Sequence, residues 1–284
     1  MSKKIILLAG PTASGKSKLA IHLAKKINGE IINADSMQIY KEFSILSSRP
    51  SKYETKKVKH HLYGIISVKK YFSAGDWLKE AKKKINICLK NKKTPIVVGG
   101  TGLYFNTITK GISKIPDIDL KTRSKVRTLY SRLGYQKFYE KLLELDPKVK
   151  NRILPTDSQR TQRAYEVKLK TKKSLFEWIT KTKSEFLDFN LKKVFVNIPK
   201  EELLQKISNR TELMFKENCI TEVKKFNKLK IDKSLSANKL IGVHEISQYL
   251  KGMISLDECR DLINIKTRQY AKRQNTWARG HMKN

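Results

Sequence analysis

The sequence predicts an α/β fold: a parallel sheet flanked by helices, carrying a phosphate-binding turn and joined to a mainly helical insertion. Three observations predict it. An apolar run at residues 5–9 leads straight into a glycine-rich turn and then a helix-like segment. Strand-like and helix-like segments alternate through the first hundred residues, as in a parallel sheet covered on both faces. From about residue 118 to 187 the chain keeps helical periodicity but loses convincing strands.

Each element follows in order. Residues 5–9 are too few for a signal-peptide core and read as a buried strand. Residues 18–27 read as a helix, 31–34 as a second strand, 75–90 as a helix, and 95–98 as a third strand ending at Gly99 and Gly100. Pro116, Asp117 and Asp119 mark the entry to the insertion. A core strand returns at 194–198, a helix follows at 201–217, and the remainder is basic and helical. This divides the chain into a core (1–117 and 190–284) and a helical insertion (118–189).

Composition narrows the function classes. The 284 residues carry a formal net charge of +35, which attracts polyanions, nucleic acid first among them. Apolar stretches recur along the whole length, so the chain is globular rather than disordered. No stretch approaches the roughly 18 apolar residues of a membrane span. Cys88, Cys219 and Cys259 fit neither a disulfide framework nor zinc spacing. A cytoplasmic protein is expected, with no membrane partner.

The strongest local signal is Gly10, Pro11, Thr12, Ala13, Ser14, Gly15, Lys16 and Ser17, a G-x4-G-K-S spacing between a strand and a helix. Backbone amides of such a loop point at phosphate oxygens, Lys16 adds a point charge, and the Ser17 hydroxyl suits Mg2+. The fold class is therefore a P-loop NTPase-like core. Asp35 follows the second strand, where a carboxylate lies near that loop. A magnesium-binding acid of an ordinary NTPase is one reading of it. In a helix over 201–215, Leu203, Ile207 and Met214 form an apolar stripe that includes Arg210, so this cation either snorkels outward or meets an anion. Arg160 and Arg163 lie one helical turn apart after a cap at Asp157. From Lys266 onward there is no acid, and Tyr270 and Trp277 interleave with the positive charge. That suits either RNA contact or a helix docked through Trp277 with its cations solvated. His60 and His61 have no third ligand at metal spacing and read as structural.

Taken in order, GPTASGKS, ADSMQIY, Arg49-Pro50, His60-His61-Leu62, GGTGLYF from Gly99, the block from Asp157 to Ala164, Ile241-Gly242 and TRQYAKRQNTWAR from Thr267 resemble the bacterial tRNA dimethylallyltransferase family over nearly the whole chain. The chain departs from the family pattern at Arg49, Thr156, Val243, His244 and Ala278. The resemblance implies transfer of a dimethylallyl group from dimethylallyl diphosphate to the exocyclic amine of the adenosine 3′ to the anticodon. It gives Asp35 the role of base, places Thr101 near the reacting adenine with its hydroxyl on Asp35 or the base edge, and sets Lys16, Arg210 and the P-loop on the diphosphate. Contacts to the anticodon stem-loop fall to Asp35, Ser36, Met37, Gln38, Thr101, Arg123, Gln159, Arg160, Thr161, Gln162, Arg163, Lys239, Gly242 and His244. Mg2+ is the implied cofactor and a monomer the implied state. A P-loop nucleotide or nucleoside kinase and a non-catalytic basic RNA-binding protein are the competing readings.

Overall fold

The computed structural model describes residues 3–283. Two compact units emerge, one combining residues up to Thr107 with those from Asp188 onward, the other Ile108–Leu187.

In the first unit, β1 (Lys4–Ala9), α1 (Lys16–Lys26) and β2 (Gly29–Asn33) alternate as the apolar runs predict. Then come α2 (Lys52–Lys57), β3 (His60–His61), α3 (Ala74–Lys90), β4 (Thr94–Gly99) and α4 (Gly102–Thr109). The sheet is parallel throughout, in the order β3-β2-β4-β1 with a fifth strand beyond β1. Its central strands are continuous runs of Ile, Leu and Val because both faces are covered. Three carboxyl ends then converge: Ala9 delivers the loop from Gly10, Asn33 delivers Asp35, and Gly99 delivers Thr101.

The second unit is helical: α5 (Leu120–Leu145, interrupted at Gly134), α6 (Ser158–Thr171) and α7 (Leu175–Thr180). Phe138, Tyr139 and Leu142 of α5 pack on Ala164 and Tyr165 of α6. Asp157 caps α6, its carboxylate accepting the Arg160 N–H at 3.1 Å.

The chain returns to the first unit through β5 (Asn190–Phe195), then α8 (Lys200–Lys216), α9 (Cys219–Lys228), α10 (Val243–Leu250) and α11 (Leu256–His281). The expected strand at 194–198 therefore starts four residues earlier, paired from Lys4↔Asn190 to Ala9↔Phe195. An edge strand buried only in part tolerates Lys192 and Lys193, so it lacks the apolar run that reveals central strands. Ile39, Tyr40, Phe43 and Leu46 join α8–α11 in one core. There the Glu222 carboxylate accepts the N–H groups of Ser44, Ile45 and Leu46 at 2.6, 3.0 and 2.9 Å. The segment following Asp35 is thus anchored at its far end. All three cysteines are free and buried. Among the described residues, no helix is long and apolar enough to cross a membrane.

At the other sheet edge, His61 has partners that spacing does not reveal. Its Nε2 lies 2.6 Å from the Glu30 carboxylate, which also accepts from the Cys88 thiol at 3.5 Å. All three are buried, with their ligand-type atoms within 4.8 Å of one another. The group satisfies its own hydrogen bonds and needs no ion to explain it. Burial alone raises the Glu30 pKa, but the His61 hydrogen bond and the nearby Lys59 charge outweigh it and hold the carboxyl below its ordinary value. The same burial, beside that carboxylate, pushes the Cys88 thiol up to about 12. A carboxyl held low in the folded state stabilises above its unfolded pKa, and that contribution disappears as pH falls through the folded value. Glu30→Gln should therefore lose about 2 kcal/mol at pH 7, the scale of a hydrogen bond to a charged group. Urea unfolding from pH 7 to pH 3 should show the gap closing in acid. A constant gap would mean that Glu30 is not ionised in the native protein.

Candidate active site

The loop from Gly10 to Ser17 is shaped by its backbone. Ala13 and Gly15 take φ of 63° and 81°, and Gly15 meets α1 in a left-handed conformation that turns successive amides inward. The Lys16 Nζ donates to the Pro11 carbonyl at 3.1 Å. Burial lowers the Lys16 pKa to about 8, with the Arg210 charge acting the same way and Asp35 opposing both. The Ser14 hydroxyl is buried with no partner among the described residues. An orphaned hydroxyl in this turn fits a phosphate oxygen, while the N–H groups of Gly10, Thr12 and Ser14 are taken by the Gly99 carbonyl, Gln274 Oε1 and the Pro11 carbonyl. Ser17, half-buried at the start of α1, supplies a hard oxygen. In a P-loop such a hydroxyl, beside ligand phosphates, is a position from which Mg2+ would be held.

Arg210 does not snorkel. It reaches back from α8 and donates to the Thr12 hydroxyl. Burial lowers its pKa and the Asp35 carboxylate raises it. Neither Lys16 nor Arg210 forms an ion pair with a described residue. Two half-buried cations without an ion-pair partner are costly, and an anionic ligand offsets that cost.

Asp35 is fixed by its own turn. Its Oδ1 accepts the Met37 N–H at 2.9 Å, and its N–H donates to Asn33 Oδ1 at 2.8 Å. Asn33, fully buried, also donates to the carbonyls of Asp35 and Leu62, each at 3.0 Å. Its own carbonyl accepts the Trp77 indole N–H at 2.8 Å, and Trp77 stacks on Tyr104 with centroids 4.3 Å apart. The half-buried Asp35 thus shares its surroundings with Lys16 and Arg210, whose pKa values both respond to it.

Of the two bonds expected of Thr101, the one to Asp35 is not made. Its hydroxyl accepts the Ser36 N–H at 2.9 Å and donates to Ser36 Oγ at 3.3 Å, rather than bonding Asp35. The reason is register: Thr101 N–H donates to the Ala34 carbonyl at 3.2 Å, which sets its side chain opposite residue 36. Gln38 also turns inward, donating to the Ser47 and Ser48 carbonyls at 2.9 Å each.

Sequence reasoning missed Asn33, Tyr270 and Gln274 as part of this site. Asn33 had a signal: an amide inside a strand that is otherwise apolar. Tyr270 and Gln274 lie one turn apart on α11, and burial, with the Asp35 charge acting the same way, pushes the Tyr270 hydroxyl pKa up. The docking of α11 uses Trp277, whose ring stacks on Phe105 with centroids 5.7 Å apart. Its Arg268, Lys272, Arg273 and Arg279 are exposed.

The expected RNA contacts sort by unit. In the helical unit, Gln159 and Arg160 are exposed, while Arg123, Gln162 and Arg163 are half-buried. Arg160 pairs with Asp157 at 3.3 Å and Arg163 with Glu166 at 3.4 Å. Thr161 is a correction: it is fully buried, its hydroxyl donating to the Asp157 carbonyl at 2.9 Å, because it shares the inner face with Ala164 and Tyr165. In the first unit, Lys239 and His244 are exposed, with Met37 and Ser36 half-buried. Gly242 is a second correction: it is buried against Leu46 at the start of α10, at φ 101°.

Comparison with known proteins gives consistent matches. The IPP transferase family profile matches residues 38–281. A tRNA dimethylallyltransferase of Pelagibacter ubique (strain HTCC1062) is 55% identical over 279 residues, 98% of this chain and 89% of the relative. One from Rickettsia felis (strain ATCC VR-1525 / URRWXCal2) is 45% identical, over 97% of this chain and 89% of the relative. Among solved structures, the full-length tRNA isopentenylpyrophosphate transferase of Bacillus halodurans superposes with a TM-score of 0.70 at 32% identity, covering 98% of this chain and 87% of that one. A eukaryotic dimethylallyltransferase captured acting on tRNA gives a TM-score of 0.83 at 29% identity, covering 98% and 70% respectively.

Proposed function

The chain belongs to the IPP transferase family, and from that premise we propose that it moves a dimethylallyl group from dimethylallyl diphosphate to the exocyclic amine of the adenosine 3′ to the anticodon of tRNA. The observation that carries this reading is the meeting of Asp35 with two half-buried, unpaired cations at the mouth of a phosphate cradle. A kinase or a non-catalytic RNA binder is not favoured: the relatives that match nearly the whole chain are named as dimethylallyltransferases.

The chemistry follows from the residues. An adenine amine is a weak nucleophile, its lone pair being delocalised into the ring. As its nitrogen bonds the allylic carbon, the carbon–oxygen bond to diphosphate breaks and the nitrogen must shed a proton, which Asp35 accepts. Negative charge grows on the departing diphosphate, and donors aimed there stabilise the transition state more than the ground state. The orphan N–H groups at the start of α1, the Ser14 hydroxyl, Lys16 and Arg210 supply them. Mg2+ held by Ser17 and the diphosphate oxygens would add charge neutralisation. The target base must leave its stack to reach Asp35. Ser36, Met37, Gln38, Thr101, Lys239 and His244 of the first unit, and Arg123, Gln159, Arg160, Gln162 and Arg163 of the helical unit, contact the RNA in this reading. The enzyme acts as a cytoplasmic monomer.

The direct test incubates purified protein with dimethylallyl diphosphate, Mg2+ and a tRNA bearing adenosine after the anticodon. Mass spectrometry of the digested tRNA should find one isopentenyl addition on that adenosine. A phosphorylated product formed from ATP would overturn the reading in favour of a kinase.

The lowered Lys16 pKa makes a separate prediction. Below about 8 the ammonium is charged, and above it the charge is lost. If only the charged form grips the diphosphate, Kd for dimethylallyl diphosphate should rise roughly tenfold per pH unit above that point. Calorimetric titration from pH 7 to 9.5 checks this. Lys16→Met should bind weakly with no such slope, and a flat wild-type profile would exclude Lys16 as the titrating group.

A further inference from the structure

We propose that Gln274 is a positioning residue that locks the phosphate cradle to the turn holding the catalytic acid. The inference rests on the alkyl-transfer reading and extends it to a side chain whose hydrogen bonds go to the backbone of Thr12 and Gly100. Gln274 is 5% exposed and enters from α11. Its Oε1 accepts the Thr12 N–H at 2.8 Å, and its Nε2 donates to the Gly100 carbonyl at 3.1 Å. Gly100 has no side chain for a reason: a Cβ there would sit 1.9 Å from Nε2. Tyr270 lies one turn earlier on the same helix.

These bonds form a chain. Thr12 belongs to the cradle, and its hydroxyl receives Arg210. Gly100 precedes Thr101, whose hydroxyl holds the Ser36 N–H, and Ser36 follows Asp35. One amide therefore joins the loop that carries the leaving diphosphate to the turn that carries the base. Gln meets both demands because it presents an acceptor and a donor without charge. Met keeps the length but offers no strong partner. Ionised Glu accepts from Thr12 but cannot donate to Gly100, leaving that carbonyl facing a carboxylate. Protonated Glu regains both roles. A shift of about 1 Å between reacting groups costs on the order of a hundredfold in rate, so the lock matters even at a distance from the chemistry.

The test compares Gln274→Met and Gln274→Glu with wild type, each as full-length protein. Wild-type prenylation of tRNA is the control: its absence would remove the alkyl-transfer reading itself, whatever the variants do. Given that activity, kcat at pH 8 should fall on the order of a hundredfold in both variants while KM for tRNA stays near wild type. Lowering the pH towards 6 should restore the Gln274→Glu rate relative to wild type and leave Gln274→Met unchanged. Hydrogen exchange should speed up in the peptide holding Gly10–Ser17 without a matching change in the peptide holding β4. Wild-type kcat in Gln274→Met would overturn the proposal. So would a loss confined to KM for tRNA, or exchange that rises equally in loop and sheet. Should one variant fold poorly, the other still decides through the same rate and exchange measurements.

Discussion

Asp35→Asn should lower kcat by about 10²–10⁴-fold, the range over which a positioned general base accelerates proton transfer. The amide keeps the size of the side chain, and its oxygen can still accept the Met37 N–H, so the turn that Asn33 also braces should hold its shape. What disappears is the acceptor for the adenine proton. Affinity for tRNA should change little if Asp35 serves chemistry rather than binding, and filter binding of tRNA beside single-turnover prenylation separates the effects. Parallel loss of rate and affinity would recast Asp35 as an RNA-binding group.

Arg210→Ala should cost about 10²–10³-fold in kcat/KM, the scale for losing one donor aimed at developing charge. Its position makes the result informative. Arg210 lies within the buried stripe of α8, bonded to the Thr12 hydroxyl and without an ion-pair partner among the described residues. A cation held this way does little for stability, so removing it should leave the thermal midpoint unchanged or raised. Arg210→Lys should recover part of the rate, since an ammonium restores charge but not the planar fork. A midpoint that collapses together with activity would assign Arg210 to the architecture instead.

The contrast between legible and hidden features has a physical basis. The loop from Gly10 to Ser17 is a contiguous segment whose spacing encodes its own geometry, and it was readable. Asp35 was readable because a strand end fixes where the next residues fall. Arg210 was half-readable: periodicity put a cation in an apolar stripe but left open whether it turned in or out. Gln274 was hidden because its bond to Thr12 spans 262 positions, and no local pattern records such a contact. The short β3 was hidden for want of length, and its stabilising partners come from β2 and α3. Thr161 is a different case. The stripe it forms with Ala164 and Tyr165 was in the sequence, and its phase already set that hydroxyl on the inner face of α6.

Alkyl transfer depends on geometry around one adenine nitrogen, and a structure with an unreactive thio-analogue of dimethylallyl diphosphate and an anticodon stem-loop measures it. The expected result has the diphosphate on the Gly10–Ser17 amides with Lys16 and Arg210, and an Asp35 oxygen about 3 Å from the exocyclic nitrogen. Diphosphate bound outside the loop, or the adenine amine turned away from Asp35, would contradict it.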